Sequence, residues 1–174
     1  MSNQLTPSVN DHDHTQGNGK ATLVLVEYGD YQCDSCGQAY PILKSIQKTF
    51  GDRLMFVFRN FPLSEAHPDA YKAAIAAEAA ALQNKFWEMH DAIYENQDQL
   101  DWDHLLSYAE TIGLDLNRFK EDIETDSVTA KIDDDFESGV RSGVNGTPSF
   151  FINNEKYNGS WEEDTLIEYL NNRL

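Results

Sequence analysis

The chain has 174 residues, 40% of them hydrophobic, a size at which roughly 70% of the extended surface is buried on folding, so one domain can form without a disulfide scaffold or structural metal. Thirty Asp+Glu against 13 Lys+Arg leave a net charge of −17, a field that repels phosphates and anionic headgroups and argues against nucleic-acid partners. No apolar run approaches the roughly 20 residues of a membrane span.

Residues 1–20 hold only Met1, Leu5 and Val9 as large apolar side chains and are expected to form a disordered tail. They lack a basic n-region and an apolar h-region, which places the chain as written in the cytoplasm; a removed leader would place it in the periplasm or outside the cell. Asp11, His12, Asp13 and His14 carry metal-ligating groups, but ordering a mobile tail opposes binding, and no metal is expected there.

The run Leu23 to Tyr28 is β-rich and apolar except for Glu27, as suits a central strand covered on both faces. A loop leads to Cys33-Asp34-Ser35-Cys36, after which Tyr40, Leu43, Ile46, Gln47 and Phe50 keep helical spacing up to Gly51, so the cysteines open a helix. Pro41 predicts a kink in its second turn. Leu54 to Arg59 is a second buried strand, which completes a β-α-β unit with a right-handed crossover.

From about Glu65 to Gly143 only helical patterns follow. Pro68 suits a helix first turn ahead of the Ala-rich run to Leu82. Phe86, Met89, His90 and Ile93 share a face, and Asp101 and Asp115 are candidate caps. Val128, Ile132, Phe136 and Val140 form an apolar stripe expected to face the core. Gly146-Thr147-Pro148 precedes a hairpin turning at Asn153-Asn154, and Ser160 with Glu163 reads as a capping box for a terminal helix. The expected organisation is a tail over 1–20, one α/β unit made of 21–62 and 144–174, and a helical insertion over 63–143.

A thiolate is the nucleophile in disulfide exchange, and a helix N-terminus offers Cys33 unpaired N–H groups and the positive end of the dipole, which lowers a thiol pKa by about one unit. Cys36, one turn on, can pair with it and resolve a mixed disulfide. The same spacing supplies half of a tetrahedral zinc site, but no further cysteine exists, and His67, His90 and His104 sit on helical patterns that point to solvent or core. Metal is not expected.

The residues around the pair resemble the DsbA-like branch of the thioredoxin superfamily: Glu27 six residues before the first cysteine, Pro41 five after the second, Thr147-Pro148 opening a later strand, and the stretches Glu-Tyr-Gly-Asp-Tyr-Gln-Cys, Arg-Asn-Phe-Pro-Leu and Lys-Phe-Trp-Glu-Met-His-Asp. The resemblance covers about residues 20–174. It implies a thioredoxin fold with an inserted all-helical domain and thiol–disulfide exchange with protein or small-molecule clients and a redox partner, without a separate cofactor. It also implies that Cys33 and Cys36 react, that Glu27 passes protons to and from Cys36, and that Pro148 is a cis-proline leaving the Thr147 backbone free for an extended client beside Asp34 and Ser35. A non-catalytic peptide-binding module on the same fold is the alternative. Asp34-Ser35 departs from the branch, where Pro and a variable residue are usual. A carboxylate about 7 Å from the thiolate costs about 1 kcal/mol at an effective dielectric of about 40, so Cys33 is expected to be less acidic and the protein a weaker oxidant than its relatives.

Overall fold

In the computed structural model, which describes residues 4–174, strands β1 (His14–Gly17), β2 (Leu23–Gly29), β3 (Leu54–Asn60), β4 (Ser149–Ile152) and β5 (Glu155–Tyr157) form one sheet in the order β1-β3-β2-β4-β5. β2 and β3 pair in parallel, from Leu23 opposite Leu54 to Gly29 opposite Asn60, while β1, β4 and β5 join antiparallel. The parallel pair is central and almost wholly buried, which is why its sequence is nearly continuous in apolar residues rather than alternating. The hairpin turns at Asn153 and Asn154, both with positive φ, the conformation a two-residue hairpin loop demands.

The helices are α1 (Asp34–Phe50), α2 (Ala70–Ala81), α3 (Phe86–Tyr94), α4 (Trp102–Thr111), α5 (Leu116–Asp122), α6 (Asp126–Arg141) and α7 (Glu163–Asn171). α1 links β2 to β3, and α2 to α6 are inserted between β3 and β4: a thioredoxin fold with an inserted helical domain. Asp101 and Asp115 accept hydrogen bonds from the His104 and Arg118 N–H groups and start α4 and α5 as their residue types predict. Helix α1 runs through Pro41 and stops at Gly51, which takes a positive φ. One face of the sheet, with Leu23, Leu25, Phe56, Phe58 and Phe150, packs against Cys36, Leu43 and Ile46 of α1 and the apolar faces of the inserted helices. The other carries Val26, Tyr28, Val57 and Phe151, covered by Leu5, Phe61, Val144 and Phe136.

Four local expectations are corrected. Residues 1–3 of the expected tail lie outside the described residues, but residues 14–17 form β1 against β3, and Leu5 is buried on the second sheet face. Polar contacts fix this segment: Asp13 pairs with the buried Arg59 through two hydrogen bonds of 2.8 and 2.9 Å, and His14 Nε2 lies 2.9 Å from Glu78 Oε1. Val140 is exposed although Val128 and Ile132 are buried. Steps of four residues advance 400°, so a stripe at that spacing drifts 40° per step and leaves the core face by its fourth member. Ser160 and Glu163 do not form a capping box, because α7 starts two residues late, with Glu162 at its cap, and Ser160 Oγ accepts the Glu162 N–H in a local turn instead. Pro68 lies before α2 rather than within its first turn, since Asp69 occupies the cap position.

Candidate active site

β2 ends at the top of the sheet, the chain turns through Asp30, and Cys33 becomes the cap residue of α1. Period-two alternation along β2 puts Leu23, Leu25 and Glu27 on one face, so the acid points toward α1 and Cys36 rather than outward. Thr147 and Pro148, immediately before β4, arrive beside the cysteines because Tyr28 pairs with Ser149. The Thr147–Pro148 peptide bond is cis. The Cys33 thiol donates to the Thr147 carbonyl at 3.6 Å.

The two thiols are reduced and differ in environment. Cys33 is held down to about 5, first by a hydrogen bond from the Cys36 thiol, then by the Thr147 side chain and by the backbone N–H groups of Cys36 and Ser35, against the opposing effect of burial. Cys36 is fully buried and pushed well above the ordinary thiol range by burial, with the negative charges of Cys33 and Glu27 adding to it. Glu27 is 2% exposed, and burial, with the Cys33 charge second, pushes its carboxyl up to about 8. Asp34, the neighbour expected to oppose the thiolate, is exposed to water, which screens its charge.

Four further residues, to which the sequence assigns no role of their own, shape the site. Buried Asp30 accepts the N–H groups of Gln32 and Leu63 and holds His67 Nδ1 at 2.8 Å, while Gln32 Oε1 accepts the Asp69 N–H. The segment entering α2 is thereby latched to the cysteine loop. His67, expected on a helical face, lies in this segment instead, and its hydrogen bond to Asp30 raises its pKa. Gln97, between α3 and α4, donates to the carbonyls of Tyr31 and Cys33 at 2.9 and 3.0 Å. It lies so close to Gly37 that a Cβ there would sit 2.0 Å from its Oε1, so the glycine makes room for the clamp. No group of three or more potential metal ligands occurs among the described residues, and no described helix is long and apolar enough to cross a membrane.

Comparison with known proteins fits this geometry. A family model described as Thioredoxin matches residues 9–172. The chain is 42% identical over 168 residues to a protein named Na(+)/H(+) antiporter NhaA 1 from Mycolicibacterium vanbaalenii, covering 95% of this chain and 27% of that protein, and 40% identical to one of that name from Salinispora arenicola, covering 93% and 25%. The chain thus spans about a quarter of the length of these curated relatives. Among solved structures, a thioredoxin-like oxidoreductase from Silicibacter pomeroyi superposes with a TM-score of 0.83 at 26% identity, covering 94% of this chain and 92% of that one. BdbD from Bacillus subtilis superposes with a TM-score of 0.84 at 24% identity, covering 99% and 96%.

Proposed function

The chain belongs to the thioredoxin family and has its DsbA-like fold, and on that premise we propose that it exchanges disulfides with thiol-bearing protein clients through Cys33 and Cys36. The observation that carries the reading is the opposite displacement of two neighbouring thiols: Cys33 is driven to about 5 at a helix start, and Cys36 is driven up in the core. The first is ionised at neutral pH and serves as nucleophile and leaving group; the second stays protonated until it is needed.

In the reducing direction, the Cys33 thiolate attacks one sulfur of a client disulfide, forming a mixed disulfide and releasing the other client sulfur as a thiolate. Glu27, once it has shed its own proton, takes the proton of Cys36 as that thiol attacks Cys33 Sγ, which releases the second client thiolate and leaves the Cys33–Cys36 disulfide. Two electrons move from the protein to the client. Run backwards, the same steps oxidise a client dithiol. A stable Cys33 thiolate stabilises the reduced protein and so favours this backward, oxidising direction. Thr147, Pro148, Asp34 and Ser35 border the sulfur where an extended client segment would lie, with Thr147 offering backbone for pairing.

In the antiporter relatives, we infer that transport belongs to the other three-quarters of their length, since no described helix of this chain could cross a membrane. Insulin-disulfide reduction by wild type and by Cys33→Ser tests the proposed activity. Turnover by wild type and background for the variant are expected; equal background rates for both would favour a non-catalytic peptide-binding module. A glutathione titration then gives the direction, with a potential between about −270 and about −120 mV expected from a thiol intermediate in acidity between the weak and strong oxidants of this chemistry.

A further inference from the structure

Behind Cys36 lies a small, partly enclosed cavity whose polar lining includes Glu27, Gln16, Tyr40, Lys44, Gln47 and His90. It offers about 10 Å³ to the centre of a water-sized sphere, room for a single water. Three buried atoms of these walls have no hydrogen-bond partner among the described residues: Glu27 Oε2, Gln16 Oε1 and His90 Nε2. Buried polar atoms are ordinarily satisfied, so three orphans around one cavity require a common explanation.

Their chemistry is complementary. His90 Nδ1 lies 2.9 Å from Asp91 Oδ1, which assigns the ring proton to Nδ1 and leaves a lone pair on Nε2. Burial pushes the imidazole below its usual range and keeps it neutral. Gln16 Oε1 only accepts, and Glu27, held as the neutral acid, has one O–H to donate. One donor and two acceptors match a water that accepts once and donates twice.

We propose that this cavity is a binding site for one water molecule, and that the water, with His90 and Asp91, carries protons between Glu27 and solvent. The proposal rests on the exchange chemistry above and extends it to the step that frees the acid to take the Cys36 proton. Before Cys36 gives up its proton, Glu27 Oε2 passes its own to the water, the water passes one to His90 Nε2, and the Nδ1 proton moves to Asp91 Oδ1, which leaves the carboxylate that takes the Cys36 proton. Asp91 reaches solvent, 28% exposed and 2.8 Å from Lys44 Nζ. No electrons move, and one proton leaves. The imidazole is left in its other tautomer, and the reverse passage, when the cysteines are reduced again, restores it. His90 thus acts through Glu27 as a positioning and relay residue.

A high-resolution crystal structure of the reduced protein tests the site without reference to activity. A water within hydrogen-bond distance of all three orphan atoms is expected; a dry cavity, or a water out of reach of His90, overturns the proposal. Kinetics test the relay. His90→Phe keeps a ring against Tyr31, Phe58 and Tyr94, and Gln16→Met, on an edge strand, is a second variant should the first not fold. Each is expected to slow Cys36-dependent resolution of a preformed mixed disulfide about tenfold and to raise its solvent deuterium isotope effect, with Cys33 alkylation unchanged. Wild-type resolution rates in both variants overturn the relay. Absence of any disulfide exchange by the wild type is a different failure, which overturns the function proposed above while the crystallographic result on the water stands.

Discussion

Asp30 and His67 meet at 2.8 Å, Oδ2 to Nδ1, where the loop after β2 touches the segment that enters α2. The pairing raises the imidazole pKa, so its contribution to stability is complete below the unfolded value of about 6.5 and is lost as pH rises through the higher folded value. NMR titration of His67 is expected to place its midpoint above 6.5 in wild type and nearer that value in Asp30→Asn. Identical midpoints would show that the contact does not hold the charge.

Cys33 alkylation should follow a single titration with a midpoint of about 5, vanish in Cys33→Ser, and move by no more than about a few tenths of a pH unit in Asp34→Asn, because that carboxylate faces water. A midpoint near the ordinary thiol value of about 8.5 would return Asp34 to the role its position in the sequence suggests.

The Glu27 carboxyl is raised from 4.5 to about 8, so folding is favoured below pH 4.5 and loses free energy as pH climbs through 8. Glu27→Gln is therefore expected to match wild type in stability near pH 4 and to exceed it at pH 9 by an amount on the order of 3–5 kcal/mol, measured by urea denaturation. The same variant should slow disulfide closure about a hundredfold. A stability difference independent of pH would mean that the carboxyl is not desolvated.

Asp13→Ala leaves the buried Arg59 guanidinium without its carboxylate. A loss of about 3–5 kcal/mol in unfolding free energy is expected, with the Cys33 titration unchanged. A loss under about 1 kcal/mol would show that the N-terminal segment does not hold its place.

Much of the catalytic frame is legible in the residues themselves. Cys33 and Cys36 stand where apolar strand gives way to helical spacing, and Glu27 falls in step with Leu23 and Leu25. The roles of Asp30, His67, Gln97 and Gln16 are not legible there, because each acts across a gap that only tertiary packing closes, and polar side chains in loops or at a sheet edge have no period to betray them. The order of the N-terminal segment is illegible for a related reason. Counting apolar residues finds little to bury there, whereas its anchors are the pairs Asp13–Arg59 and His14–Glu78, whose partners lie tens of residues away.

Strand β1 covers the outer side of β3, pairing Met55 through Phe58 with residues 14–17. Without that cover, Leu-Met-Phe-Val-Phe would present an open row of backbone donors and acceptors in a segment rich in β-formers and free of charge until Arg59. The short N-terminal strand therefore also guards solubility: a protein clipped ahead of Leu23 would carry an adhesive edge, ready to zip onto the same edge of another molecule.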